Sequence, residues 1–198
     1  MLRWIAHINV GSFFPSLEGD QALPPERYVE LSNQLRELLA RFSPRLEPES
    51  LDRFFLDITE GLGPEGTVEQ ILEALQKSLL AVLKLKAAIG AGPSKLVARL
   101  AAEAAEPEGI LVVPSEQVLD FLTPRSVRRL WSIQPKVGIE LAGMGIQTLG
   151  DLRRIPLSNL VAHFGKTGYR LAMLAQGQDP LPEPKSKPGA HPQTAQLA

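Results

Sequence analysis

The sequence predicts an α+β unit, a small and mostly antiparallel sheet covered by helices, followed by a cluster of short helices. Three observations carry this. Short β-rich runs alternate with amphipathic helical periods up to about residue 113. From Ser115 onward the strand signals stop, and Gly and Pro cut the chain into short helical pieces. From Gln178 the text turns Pro-rich and polar without periodicity, which reads as a disordered tail.

Taken in order, residues 2–10 (LRWIAHINV) read as a strand that stops at Gly11. Pro25 suits the first position of a helix to about Phe42, on which Tyr28, Leu31, Leu35, Leu38 and Phe42 form one apolar stripe. Residues 50–58 (SLDRFFLDI) read as a second strand. Thr67 and Gln70 make a capping box ahead of a helix to about Val82. Residues 84–89 read as a third strand, with Gly90–Pro93 as a tight turn. Ser94 caps a helix to about Ala105, and residues 110–113 form a small last strand. Helix starts follow near Ser115, Pro124, Pro135, Thr148, Ser158 and Lys166.

Composition narrows the function classes. The chain has 198 residues, 44% hydrophobic and 22% charged, enough for a packed core and unlike a disordered chain. It has no cysteine, which excludes disulfides, thiolate zinc sites and a Cys nucleophile. No apolar run approaches the length of a membrane span and no signal-peptide pattern opens the chain, so a cytoplasmic location without membrane contact is expected. The net charge of −1 is unevenly spread. Residues 1–120 hold eleven basic against eighteen acidic side chains, whereas residues 121–170 hold eight against two. That basic stretch is large enough to be a phosphate-binding footprint, and it is equally an ordinary solvated surface.

Five blocks of sequence now resemble one family in its own order, over about 170 residues. HINVGSFFPSLE (7–18) and SLDRFFLDIT (50–59) look like the first and second motifs of the Y-family translesion DNA polymerases. Residues 88–113 are similar to the segment bearing that family's triphosphate-contacting lysine. LWSIQPKVGIELAGMGIQTLGDL (130–152) resembles the helix-hairpin-helix of its thumb, and FGKTGYRLAMLAQGQDP (164–180) the thumb's last helix. The resemblance implies a palm over 1–113, with the fingers deleted between about 18 and 25, a helical thumb over 114–180 and a tail over 181–198. The little-finger domain is absent on this reading.

The family's chemistry needs carboxylates, because two Mg²⁺ ions about 3.5–4 Å apart clamp the attacking and leaving oxygens. By resemblance those positions are Asn9, Asp52 and Arg53, and one carboxylate of three remains. Arg53 would repel a divalent ion about 5 Å away by roughly 2–7 kcal/mol, or simply neutralise Asp52 or pair with Asp57 along its strand. The expectation is therefore a catalytically inactive protein, not an enzyme, with no metal and no cofactor. Phe14 falls at the family's steric gate and Arg99 at its triphosphate lysine. Both residue types at these places are more often core packing and ion pairing, respectively.

The thumb resemblance points to weak, non-sequence-specific DNA-backbone binding by Arg125, Arg128, Arg129, Lys136, Gly143, Gly145, Arg153, Arg154, Lys166 and Arg170. In the first hairpin, Ser132-Ile133-Gln134 stands where the family has G-I-G, while the second keeps Gly143 and Gly145. The expected role is a DNA-binding accessory or adaptor factor in repair or translesion synthesis, resembling the inactive polymerase-like subunit of the bacterial mutasome. A replication or repair protein would be its partner, with self-association left open. The alternatives are a protein scaffold that does not touch DNA, and a residual nucleotidyltransferase with rearranged metal ligands.

Overall fold

A computed structural model describes residues 3–11, 24–63, 66–130 and 133–180. Its centre is a five-stranded sheet in the order β2-β3-β1-β4-β5, built from Ile5–Asn9 (β1), Leu46–Pro48 (β2), Arg53–Asp57 (β3), Ala88–Gly92 (β4) and Ile110–Val112 (β5). Three pairings are antiparallel and the β4–β5 pairing is parallel. The antiparallel character expected from the sequence holds for most of the sheet.

Helices cover both faces of the sheet. Helix α1 (Pro25–Leu39) and helix α2 (Val68–Ser78) pack on the face that carries Ala6, Ile8, Val10, Phe54, Leu56 and Ile89. Helix α3 (Lys95–Ala104) covers the other face, where Ile5 and Phe55 meet Ala98. All five residues of β1 are buried, the polar His7 and Asn9 included. Such a strand needs cover on both sides.

Local chemistry sets the helix ends. Pro25 opens α1 at its first turn. Thr67 and Gln70 form the expected capping box on α2, and Ser94 accepts from the Val97 N–H at the start of α3. Two boundaries differ from expectation. Helix α2 stops at Ser78 and a π-type turn over Leu79–Leu83 follows, ended by Lys84 at φ 57°. The third strand is displaced to Ala88–Gly92, so the supposed glycine turn is strand. Glycine is required there by packing: a Cβ on Gly90 would lie 2.1 Å from Ala102 N and 2.2 Å from Ala98 O.

The C-terminal part is helical, as read from sequence. It comprises α4 (Val118–Leu122), α5 (Pro135–Gly143), α6 (Leu149–Arg153), α7 (Leu157–Phe164) and α8 (Lys166–Ala175). No α-helix starts at Pro124; among the described residues a short 3-10 turn over Val127–Arg129 lies between α4 and α5. Leu122, Leu141, Leu149, Leu152, Leu160, Leu171 and Leu174 form its core together with Leu96, Val97 and Leu100 of α3. Helix α3 is therefore the shared wall between the sheet and the helical cluster. Asp179, just beyond α8, ties the two together by accepting from the backbone N–H groups of Lys95 and Leu96 at 2.9 and 3.1 Å.

Candidate functional site

Strand β1 delivers Asn9 to the end of the sheet, 6% exposed, between Arg53 of β3 and Ala88 of β4. Its amide nitrogen donates to Glu106 Oε1 at 2.9 Å, and its oxygen accepts from the Gly11 N–H at 3.0 Å. Asp52 lies alongside, accepting from Ser50 Oγ at 2.6 Å with Arg53 Nε 3.9 Å from Oδ2. A Cβ on Gly11 would fall 2.2 Å from Asp52 Oδ2 and 3.2 Å from Asn9 Oδ1, so glycine is what lets these two oxygens converge.

The three motif positions Asn9, Asp52 and Arg53 are thus brought together. Glu106 is the residue that reading the sequence missed. It sits in the α3–β5 turn, and only the parallel β4-α3-β5 crossover returns that turn to the edge where β1 ends. No spacing in the sequence signals it. The donor set is the Asp52 carboxylate and the Asn9 carboxamide oxygen beside Gly11, with the Glu106 carboxylate on the far side of the Asn9 amide and the Arg53 guanidinium next to Asp52. Among the described residues no group of three acidic or imidazole side chains is placed to hold a metal ion. This set does not fit a pair of Mg²⁺ ions, which need several carboxylate oxygens.

Arg99 does not join this cluster. It lies between Glu49 and Glu103, each at 3.3 Å, and is 16% exposed. Glu49 Oε2 in turn meets Nε2 of the buried His7 at 2.9 Å. The hydrogen bond from His7 holds the Glu49 carboxyl below the ordinary glutamate range, helped by the charges of His7, Arg99 and Arg53 and opposed by desolvation. Asp57, the other candidate partner of Arg53, is instead shared by Arg3 at 3.7 Å and Arg45 at 3.8 Å.

The Glu49 arrangement predicts a pH dependence. A carboxyl depressed in the folded state contributes stability at pH above its unfolded value, and that stability is lost as pH falls through the folded value. Glu49→Gln is expected to lower stability at pH 7 by about 1–3 kcal/mol and to flatten the loss seen below about pH 4.3. Chemical denaturation of both proteins from pH 7 to pH 3 checks this; parallel curves would refute it.

The basic side chains of the helical part fall into two groups. Arg125 stacks on Phe121 with its guanidinium carbon 4.0 Å from the ring centroid. Arg153 donates to Thr123 Oγ1 at 2.6 Å, Arg154 pairs with Asp151 at 3.5 Å, and Arg129 pairs with Glu103 at 3.4 Å. Arg170 is half-buried. Arg128, Lys136 and Lys166 are exposed and form no salt bridge among the described residues.

Of the two glycines singled out in GMGIQT, only Gly145 has a positive φ (79°), where it reverses the chain after α5. Gly143 ends α5 with open space around it. The N–H groups of Gln147 and Thr148 already donate to Asp151, so the N-terminus of α6 is self-capped. A second glycine turn, Gly165 at φ 59°, joins α7 to α8, and beyond it a Cβ on Gly168 would lie 1.9 Å from Leu160 O. Phe14, the supposed deletion near 18–25 up to residue 23, Ser132 of the first hairpin and the tail over 181–198 lie outside the described residues. Among the described residues no helix is long and apolar enough to cross a membrane.

Residues 22–103 match the impB/mucB/samB family model. Over 165 residues the chain is 35% identical to DNA polymerase IV of Desulfatibacillum aliphaticivorans, covering 83% of this chain and 41% of that protein. It is 33% identical to DNA polymerase IV of Yersinia pestis (strain Pestoides F) over 152 residues, and 32% identical to that of Shewanella oneidensis over 163 residues. These cover 77% and 81% of this chain, and 43% and 46% of the relatives. The chain thus spans less than half the length of these curated relatives.

Its fold is similar to a crystal structure of DinB from Sulfolobus solfataricus, with a TM-score of 0.74 at 20% identity over 90% of this chain and 69% of that one. An insertion ternary complex of Dbh DNA polymerase gives 0.76 at 20% identity, over 89% and 69%. These findings overturn the expectation of a catalytically inactive, non-enzymatic adaptor, because the curated relatives are named as DNA polymerases at 32–35% identity. The substitutions at Asn9 and Arg53 stand within a likeness that covers about four fifths of the chain. Over residues 22–103 this chain is thus similar to the impB/mucB/samB family, over most of its length to DNA polymerase IV proteins, and in fold to DinB and Dbh DNA polymerase.

Proposed function

We propose that this chain is the palm (1–113) and helix-hairpin-helix thumb (114–180) portion of a Y-family DNA polymerase, and that it serves damage-tolerant DNA synthesis in the cytoplasm. Its own residues supply binding and orientation of primer–template DNA along the phosphate backbone. The observation that carries this reading is the set of exposed cations Arg128, Lys136 and Lys166, which form no salt bridge among the described residues, on the helical cluster that packs against α3. Contacts to phosphate fix register and orientation without reading sequence, so no base preference is expected. The self-capped α6 leaves side chains, not helix-end amides, as the principal phosphate ligands.

The test is fluorescence anisotropy with labelled primer–template DNA across a salt series. Neutralising about three phosphates gives a fall of roughly 40-fold in affinity between 50 and 200 mM salt. Arg128→Glu combined with Arg129→Glu is expected to weaken binding at least about tenfold at 50 mM salt. Absence of binding by the unaltered protein at low salt would overturn the reading.

A further inference from the structure

Arg129 differs from its neighbour Arg128 in being held. Its Nη1 lies 3.4 Å from Oε2 of Glu103 on α3, yet its side chain is 66% exposed. Glu103 is the better fixed of the two, at 23% exposure, because its other oxygen meets Arg99 Nε at 3.3 Å. Arg99 is itself held by Glu49, and Glu49 by His7 in the core of the sheet. The row His7–Glu49–Arg99–Glu103–Arg129 is therefore anchored at one end and loose at the other.

The backbone of Arg129 is also pinned. The 3-10 turn Val127–Arg129 is tied down by the Val127 N–H donating to Gln147 O and the Arg128 N–H to Ser126 Oγ. What can move is the Arg129 side chain alone. A single exposed ion pair is weak and screened by salt, whereas a nucleic-acid phosphate offers the same guanidinium a bidentate, charge-assisted partner.

We propose that Glu103 competes with nucleic-acid phosphate for Arg129, holding that side chain in reserve so that the Glu103–Arg129 contact tunes affinity for the DNA backbone. The proposal rests on the DNA-binding reading above. In the unaltered protein Arg129 stays with Glu103, itself fixed by Arg99, when DNA binds, and removing the Glu103 charge frees the guanidinium for phosphate. The competitor thus sets how many phosphates the helical part neutralises: one fewer while Arg129 is held, one more once it is released.

A double-mutant cycle tests it, using the full chain, primer–template DNA and anisotropy at about 100 mM salt. Glu103→Gln is expected to tighten binding about threefold to tenfold and to steepen the slope of log affinity against log salt by about 0.9. Arg129→Ala alone is expected to change affinity less than about twofold, but to abolish the gain when combined with Glu103→Gln. Glu103→Ala replaces Glu103→Gln should the latter lower the thermal midpoint. A gain that persists without Arg129 would show general charge repulsion by Glu103 and overturn the proposal, as would no gain at all. Failure of all four proteins to bind at low salt would overturn the DNA-binding reading itself.

Discussion

Gly90→Ala is expected to destabilise the protein by about 3 kcal/mol, toward the upper end of what overpacking costs. For a chain of this size that lowers the thermal midpoint by roughly 6–12 °C. The added methyl would meet Ala102 N at 2.1 Å, Ala98 O at 2.2 Å and the Ala101 carbonyl carbon at 2.7 Å. All three are backbone atoms of α3, so no rotamer change relieves the clash, and the helix must lift as a body. Lifting it strains the packing on both of its sides, because α3 is buried against the sheet by Ala98 and against the helical cluster by Leu96, Val97 and Leu100. It also separates Arg99 from Glu49 and Asp179 from the α3 amides. Gly143→Ala is the control. Its Cβ meets nothing within 4 Å in the last turn of α5, so a change within about 0.5 kcal/mol is expected, of either sign. Differential scanning calorimetry separates the two, and a Gly90→Ala midpoint within 2 °C of the unaltered protein would show that α3 does not seat on β4 as described.

The same glycine shows where reading the sequence reaches its limit. The period of the apolar residues on α1, the Thr67/Gln70 box and the Ser94 cap are local, and each was legible because its physics lies within a few neighbouring residues. Local chemistry favours glycine in turns, so the sequence alone places Gly90 in one. It is a strand residue because a helix backbone that comes later in the chain leaves no room for a side chain. Glu106 was illegible for a related reason: its meeting with Asn9 depends on a crossover connection, not on spacing. Charge partners behaved likewise. Strand parity offered Asp57 to Arg53, but Arg3 and Arg45 hold Asp57 from other segments. Asn9, Asp52 and Arg53 do lie together, because Asn9 and Arg53 are register partners on β1 and β3 and Asp52 directly precedes β3. Two of those substitutions do not establish inactivity against the likeness to relatives named DNA polymerase IV.

Asn9→Asp combined with Arg53→Glu is expected to raise affinity for Mg²⁺ or Mn²⁺ at least about a hundredfold. At about 5 Å, each unit of charge changes the energy of a divalent ion by about 1.7 kcal/mol even in a water-like dielectric, and the pair of substitutions changes three units. A hundredfold is about 2.7 kcal/mol, half that sum, which leaves room for screening and for side chains that turn away. The arrangement on β1 and β3 favours the gain, because Asn9 and Arg53 are register partners and Asp52 already converges on Asn9 beside Gly11. Without metal the same variant places new carboxylates beside Glu106, which now accepts a hydrogen bond from Asn9, and beside Asp52. Like charges that close repel, so the metal-free variant is expected to melt below the unaltered protein and to recover on adding the cation. Isothermal calorimetry and thermal melting with and without metal read both effects. A variant that is destabilised but gains no cation affinity would mean that the carboxylates splay apart, and that the backbone at the end of β1 does not hold the geometry described. Recovery with Mg²⁺ and Mn²⁺ but not with added monovalent salt separates binding at this site from simple screening of the new charges, since only a bound divalent ion can satisfy several carboxylate oxygens at once.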